Sequence, residues 1–189
     1  SLDALIRHEE KHREELYERE QRINASRHQI NEYMNRISAL ELSEADGEKV
    51  ISYFKITTDL ERLGDHAKNL MGYVREVALN EEALQELARL QELFKEAVGS
   101  LYRRDETIGN EYAHMEEIER QVDALTQEYQ DEQLHRLKEH KCSAAQCVVY
   151  VNVLVDMERI FDHLINIVEE CRDHHYHLLV YETAPLQTA

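Results

Sequence analysis

Residues 59–69 read Asp-Leu-Glu-Arg-Leu-Gly-Asp-His-Ala-Lys-Asn, and 97 positions later residues 156–166 read Asp-Met-Glu-Arg-Ile-Phe-Asp-His-Leu-Ile-Asn. Six polar residues recur in register. Asp59, Glu61, Arg62, Asp65, His66 and Asn69 return as Asp156, Glu158, Arg159, Asp162, His163 and Asn166. The apolar residues recur as well. Tyr53, Ile56, Leu60, Leu63, Ala67, Leu70 and Val74 fall on Tyr150, Val153, Met157, Ile160, Leu164, Ile167 and Cys171. Steps of three and four between them are the spacing of a helical seam. A fixed-offset copy of this kind reports architecture: two related helical units in tandem.

The rest of the chain agrees with helix throughout. There are five glycines and one proline in 189 residues, too few for a turn-rich sheet fold. Residues 2–41 lack both and predict one long helix, or two broken near the middle, with the thin stripe Leu16, Ile23, Ile30 and Ile37. A thin stripe marks a peripheral helix. Ser43-Glu44-Ala45-Asp46 resembles a capping box, so a second helix is expected from there to about Leu79. Asn80 is a candidate cap for a third, with stripe Leu87, Leu90, Phe94, Ala97 and Leu101, ending near Gly109. A fourth is expected over about 110–140 and a fifth over about 144–173, with a turn at 141–143. The fifth is apolar on more than one side, through Val148, Val151, Val155, Phe161, Ile165 and Val168, and so belongs at the centre. The fourth echoes the first at an offset of 99, with Glu119, Val122 and Asp123 opposite Glu20, Ile23 and Asn24. The expected division is residues 1–79 for a first unit of two helices, 80–178 for a second unit of three, and 179–189 for an irregular tail. The first unit is expected to have its opening helix upstream of Ser1, in a longer parent protein.

The formal charge of −17 speaks against nucleic acid, whose phosphates need clustered Lys and Arg, and against an anionic membrane surface. It suits cations and basic protein partners. No apolar run reaches the ~20 residues a membrane span needs. Cys142, Cys147 and Cys171 lack metal-site spacing and read as reduced, small buried hydrophobes. Gly-rich phosphate loops, HExxH and nucleophile elbows are missing, so nothing in the sequence points to an enzyme.

Placed on a helix, the seam lies on one side and the repeated polar residues are expected on the other, facing outward. Glu61 with Asp65, and Glu158 with Asp162, are carboxylates four apart, a spacing that disfavours a helix by ~0.2–0.5 kcal/mol unless compensated. A hard cation (iron, manganese, magnesium or calcium) is one compensation. Glu119 and Asp123 repeat the spacing; Asp59, Asp156, His66 and His163 are weaker candidates at the edges. The competing reading is a plain ion-pair ladder, since Arg62 and Arg159 each lie three residues from two aspartates. Glu9/His12, Glu111/His114 and Glu132/His135 have the Glu-x-x-His spacing of ferritin-like metalloenzymes, which would need those groups pointing inward. His174, His175 and His177 cluster near the C-terminus, where a frayed helix end is the plainer account.

The duplicated segment at 59–69 and 156–166 resembles the signature helix of PhoU-like proteins, in two copies about a hundred residues apart. The stretch Ile30-Asn31-Glu32-Tyr33-Met34-Asn35-Arg36-Ile37 and the Leu42-to-Glu48 linker look more like the domain fused to sodium/phosphate cotransporters than the free-standing regulator. The resemblance implies an all-α, up-down helical bundle of two tandem three-helix units. It implies metal held through Glu-x-x-x-Asp motifs at Glu61/Asp65, Glu158/Asp162 and Glu119/Asp123, with Asn24 and Phe161 as departures. It further implies a non-catalytic regulatory role in phosphate transport, on the cytoplasmic side of the cell membrane. The partners implied are the transporter region of the same parent chain, a phosphate-signalling kinase in the free-standing alternative, and a second copy as a homodimer.

Overall fold

The computed structural model describes residues 2–7, 13–74, 76, 78–101 and 108–174. Six α-helices follow one another: α1 Leu2–Arg7, α2 Arg13–Ser38, α3 Glu44–Tyr73, α4 Glu81–Leu101, α5 Ile108–Lys138 and α6 Ala144–Asp173. Among the described residues there is no strand. None of these helices is long and apolar enough to cross a membrane.

Local chemistry sets the boundaries. The Ser143 hydroxyl accepts from the Gln146 amide while the Gln146 side chain accepts from the Ser143 amide, a reciprocal cap that starts α6. Ser43 caps α3 through the Asp46 amide. The Asn80 side chain accepts from the Ala83 amide at the head of α4. Between α5 and α6, His140 takes a left-handed φ of 58°, a conformation histidine tolerates better than most residues. Several expected boundaries move. The region 2–41 is described as α1 and α2, with residues 8–12 outside the described residues. α3 ends at Tyr73, six residues before Leu79, and Gly109 lies inside α5 rather than ending α4. The tail 179–189, with His175 and His177, is outside the described residues.

α6 is the central helix. It packs on α3 and α5, and α4 closes over the α5–α6 pair. Leu87 and Leu90 of α4, Ile118 and Val122 of α5, and Tyr150, Val153, Leu154 and Phe161 of α6 form one continuous core. Phe94 meets Phe161 edge-on. One charged network crosses this layer. Arg136 makes a two-pronged contact with Glu86, 2.8 Å on each arm, and the Tyr150 hydroxyl donates to the same carboxylate. Burial and the Glu86 charge hold the Tyr150 phenol in its protonated, donating form. On the other side α2 packs against α3, and α1 touches α3 and α4. Cys147 and Cys171 are buried and unbridged, and Cys142 is half-buried.

Among the described residues the ferritin-like arrangement does not form. Glu132 and His135 are exposed on α5, and His135 pairs with Glu139. His114 pairs with Glu96 at the surface. Glu9, His12 and the Glu111 side chain lie outside the description. The interior seams are apolar, as their sequence spacing required.

Candidate functional site

Asp59 and His66 are seven residues apart on α3, as Asp156 and His163 are on α6. Seven residues are nearly two full turns, so each pair shares a face. The two helices run antiparallel, and their copied faces meet across a local twofold. The aspartate of each copy therefore reaches the histidine of the other. Asp59 Oδ1 lies 2.9 Å from His163 Nδ1, and Asp156 Oδ1 lies 2.6 Å from His66 Nδ1. The two imidazole rings stack between the pairs at 5.5 Å. Asp156 takes two further donors, the Tyr73 hydroxyl at 2.8 Å and the Asn69 amide at 3.2 Å. Burial and the Asp156 carboxylate raise the Tyr73 phenol well above its usual value, so it remains a donor.

These residues are not on the outward face where the sequence reading put them. Asp59, Asp156 and His163 are buried and His66 is half-buried. On α3 they sit only ~60–80° from the seam centre at ~100° per residue. That flank is covered by α6. Glu61 and Asp65 lie on the opposite flank, toward α2 and solvent. The repeated polar set is thus two faces: an interface that joins the units, and a carboxylate face on each unit.

The two carboxylate faces have diverged. In the second unit Glu119 and Asp123 of α5 stand beside Glu158 and Asp162 of α6. Burial, then the charges of Asp123 and Asp162, push the Glu119 carboxyl above its ordinary range. Burial and Asp162 do the same to Asp123. Glu158 is raised by burial, then by Asp162 and Asp123, against the pull of Arg159. The Asp162 charge acts on all three of these groups, so they lie in one largely negative field. Among the described residues, the cation paired with this set is the exposed Arg159, 3.1 Å from Asp162.

In the first unit the corresponding positions are Glu20, Asn24, Glu61 and Asp65, and here cations have moved in. Glu20 is buried and accepts from Asn24 at 2.7 Å and Lys68 at 3.2 Å. Arg27 pairs with Glu61 at 3.2 Å. At the offsets of 97 and 99, Lys68 and Arg27 correspond to Ile165 and Thr126. Among the described residues, Lys68 and Arg27 pair with the carboxylates of the first unit, whereas the exposed Arg159 pairs with those of the second. Sequence spacing alone missed Lys68 and Arg27, although comparing the copies column by column would have found them. Among the described residues no three His, Cys, Asp or Glu side chains stand close enough together to hold a metal ion as placed.

A tandem pair of related helical units, joined by crossed Asp–His contacts and carrying Glu-x-x-x-Asp faces, defines an all-helical domain of duplicated construction. The PhoU domain family model matches residues 1–74 and again 84–171, so this chain belongs to the PhoU family. A curated relative, the phosphate-specific transport system accessory protein PhoU homolog of Xylella fastidiosa (strain Temecula1 / ATCC 700964), is 24% identical over 177 residues, 89% of this chain and 72% of that protein. The crystal structure of PhoU from Pseudomonas aeruginosa superimposes with a TM-score of 0.77 at 22% identity, over 92% of this chain and 86% of the other. That of the phosphate transport system regulatory protein PhoU from Streptococcus pneumoniae gives 0.65 at 23% identity, over 95% and 86%. These likenesses fix the fold.

Proposed function

We propose that this chain is a non-catalytic, PhoU-type regulator of phosphate transport that acts through protein contacts on the cytoplasmic side of a membrane. The observation that carries this is the family match over both units, beside a relative named for a phosphate-specific transport system. The relatives are PhoU proteins rather than transporters, which favours the free-standing regulator over a domain of a sodium/phosphate cotransporter. The cotransporter reading rests on the residue pattern at 30–48. The partner in either case is the transporter or a phosphate-signalling kinase.

The second-unit face is the candidate metal centre. Glu119, Asp123, Glu158 and Asp162 supply hard oxygen donors, and the raised proton affinity of Glu119, Asp123 and Glu158 is what burial beside poorly neutralised carboxylates produces. They fit magnesium, manganese, calcium or iron once side chains rotate inward. Glu61 and Asp65 fit poorly, because Arg27 and Lys68 already neutralise that face.

Deleting the gene in its source organism and following radiolabelled phosphate uptake tests the reading. Uptake is expected to lose its dependence on external phosphate and to regain it with the wild-type gene. Uptake that responds normally in the deletion strain would contradict the proposal.

A further inference from the structure

Two of the three thiols stand at the start of one helix. With Ser143 as the cap of α6, Cys142 is the residue before the cap and Cys147 the fourth residue of the helix. Those are the two positions that a hydrophobic staple brings into contact, and here both are cysteine. The Cys147 amide donates to the Ser143 carbonyl at 3.0 Å, so the backbone of Cys147 is tied beside Cys142. The third thiol, Cys171, is buried near the other end of α6.

The pair is unequal. Cys142 is half-buried, in the turn between α5 and α6, whereas Cys147 is 6% exposed. Burial, then the charge of Cys142, raises the Cys147 thiol against the pull of Arg136. The three groups therefore lie within electrostatic reach of one another. Two buried side chains of α5 come to the same place: the Gln133 amide donates to Cys142 Sγ at 3.5 Å, and Arg136 is the cation that Cys147 feels. Each also keeps a polar atom idle. Among the described residues, Gln133 Oε1 and Arg136 Nε are buried with no hydrogen-bond partner. A thiol is a weak partner for either. A sulfenic acid is a better one, with an O–H for Gln133 Oε1 and an oxygen acceptor for Arg136 Nε.

We propose that Cys142 and Cys147 are a peroxide-sensitive pair, in which Cys142 is oxidised first and Cys147 resolves it to an intramolecular disulfide. The Cys142 sulfur, as thiolate, attacks hydrogen peroxide. An S–O bond forms, the O–O bond breaks, and the leaving hydroxide takes up a proton as water. Cys147 then gives up its proton and attacks the Cys142 sulfur. The S–S bond forms, the S–O bond breaks, and the second hydroxide leaves as water. Two thiols and one peroxide become one disulfide and two waters; the sulfurs lose the two electrons that peroxide gains. Gln146, between the two cysteines, donates to the Ala78 carbonyl at 2.8 Å. The new bond therefore locks the helix start that holds the α3–α4 linker.

The test uses the whole chain, first reduced, then treated with hydrogen peroxide, alkylated under denaturing conditions and digested with trypsin. Cleavage after Lys141 and Arg159 leaves Cys142 and Cys147 in one peptide, residues 142–159, and Cys171 in another. Mass spectrometry is expected to show 142–159 free of alkyl groups and lighter by two hydrogens, with dithiothreitol restoring both thiols. Cys171 should stay a thiol and be alkylated. Cys147→Ala should stop the reaction halfway, at a Cys142 sulfenic acid that dimedone captures. Cys142→Ser should leave Cys147 a thiol after peroxide. A 142–159 peptide that still carries both alkyl groups after peroxide would overturn the proposal. So would Cys142 found only in disulfides between chains, or a sulfenic acid captured on Cys147 rather than Cys142.

Discussion

Replacing Asp156 with asparagine should separate the two crossed pairs energetically. Asp156 accepts from His66, Asn69 and Tyr73, whereas His163 is the side-chain donor to Asp59. A hydrogen bond to a charged acceptor is worth about 1.5–3 kcal/mol. Asn69 is exposed and can turn to water, so its share is small. His66 is 21% exposed, so its share is reduced. Asp156→Asn should therefore destabilise by about 3 kcal/mol, and Asp59→Asn by about half that, because one donor is involved. For a chain of this size that is a fall in Tm of about 6–12 °C against about 3–6 °C. Urea titration followed by circular dichroism measures both. A cycle with Tyr73→Phe isolates one contact. The Tyr73 substitution should cost about 1 kcal/mol in wild type and little in the Asp156→Asn background. Equal losses at Asp59 and Asp156, or a Tyr73→Phe effect that is the same in both backgrounds, would refute the assignment of the three donors.

Two other outcomes follow from the same geometry. Gly64 lies mid-helix on α3, and a Cβ there would meet Ile23 Cδ1 at 3.6 Å, ordinary contact; Gly64→Ala should stabilise by about 0.5–1 kcal/mol in urea titration. Burial and the Asp162 charge raise the second-unit carboxyls Glu119, Asp123 and Glu158 above their ordinary range, so the folded state binds their protons more tightly than the unfolded chain does. Their contribution to stability therefore falls as pH rises from the ordinary carboxylate range through their raised values, and stays low above it. Asp162→Asn removes the charge all three share. It should make the protein more stable than wild type at pH 7 without added metal, with the difference vanishing below about pH 3.5, as read from melting curves across pH.

The helices were legible because their signals are local. The Ser143–Gln146 cap and the unbroken seam that follows give α6 its bounds of 144 and 173, as spacing required. Asn80 announced α4 through its side chain. The end of α3 was less visible. Val74, Val77 and Leu79 continue the apolar period past Tyr73, and the chain leaves the helix there to reach the Asn80 cap. The larger miss was angular. Asp59 and His66 look like surface polar residues when the seam is taken as the whole buried face. A helix packed by neighbours on two sides also buries the flanks of its seam, and polar groups there survive by pairing. The i, i+7 spacing of Asp and His in both copies carried that information, because two antiparallel copies of one such pair can satisfy each other. Neutralisation of the first carboxylate face by Arg27 was hidden for another reason. The arginine comes from α2, and no single-helix spacing reports it.

The most direct test of the account is calorimetric titration of metal-free protein with manganese, beside Asp123→Asn/Asp162→Asn and Glu61→Gln/Asp65→Asn. The account predicts cation binding in wild type that is abolished by the second-unit double substitution and unchanged by the first-unit one. Binding that is lost with Glu61 and Asp65 and kept without Asp123 and Asp162 would contradict it, as would no binding to wild type at all.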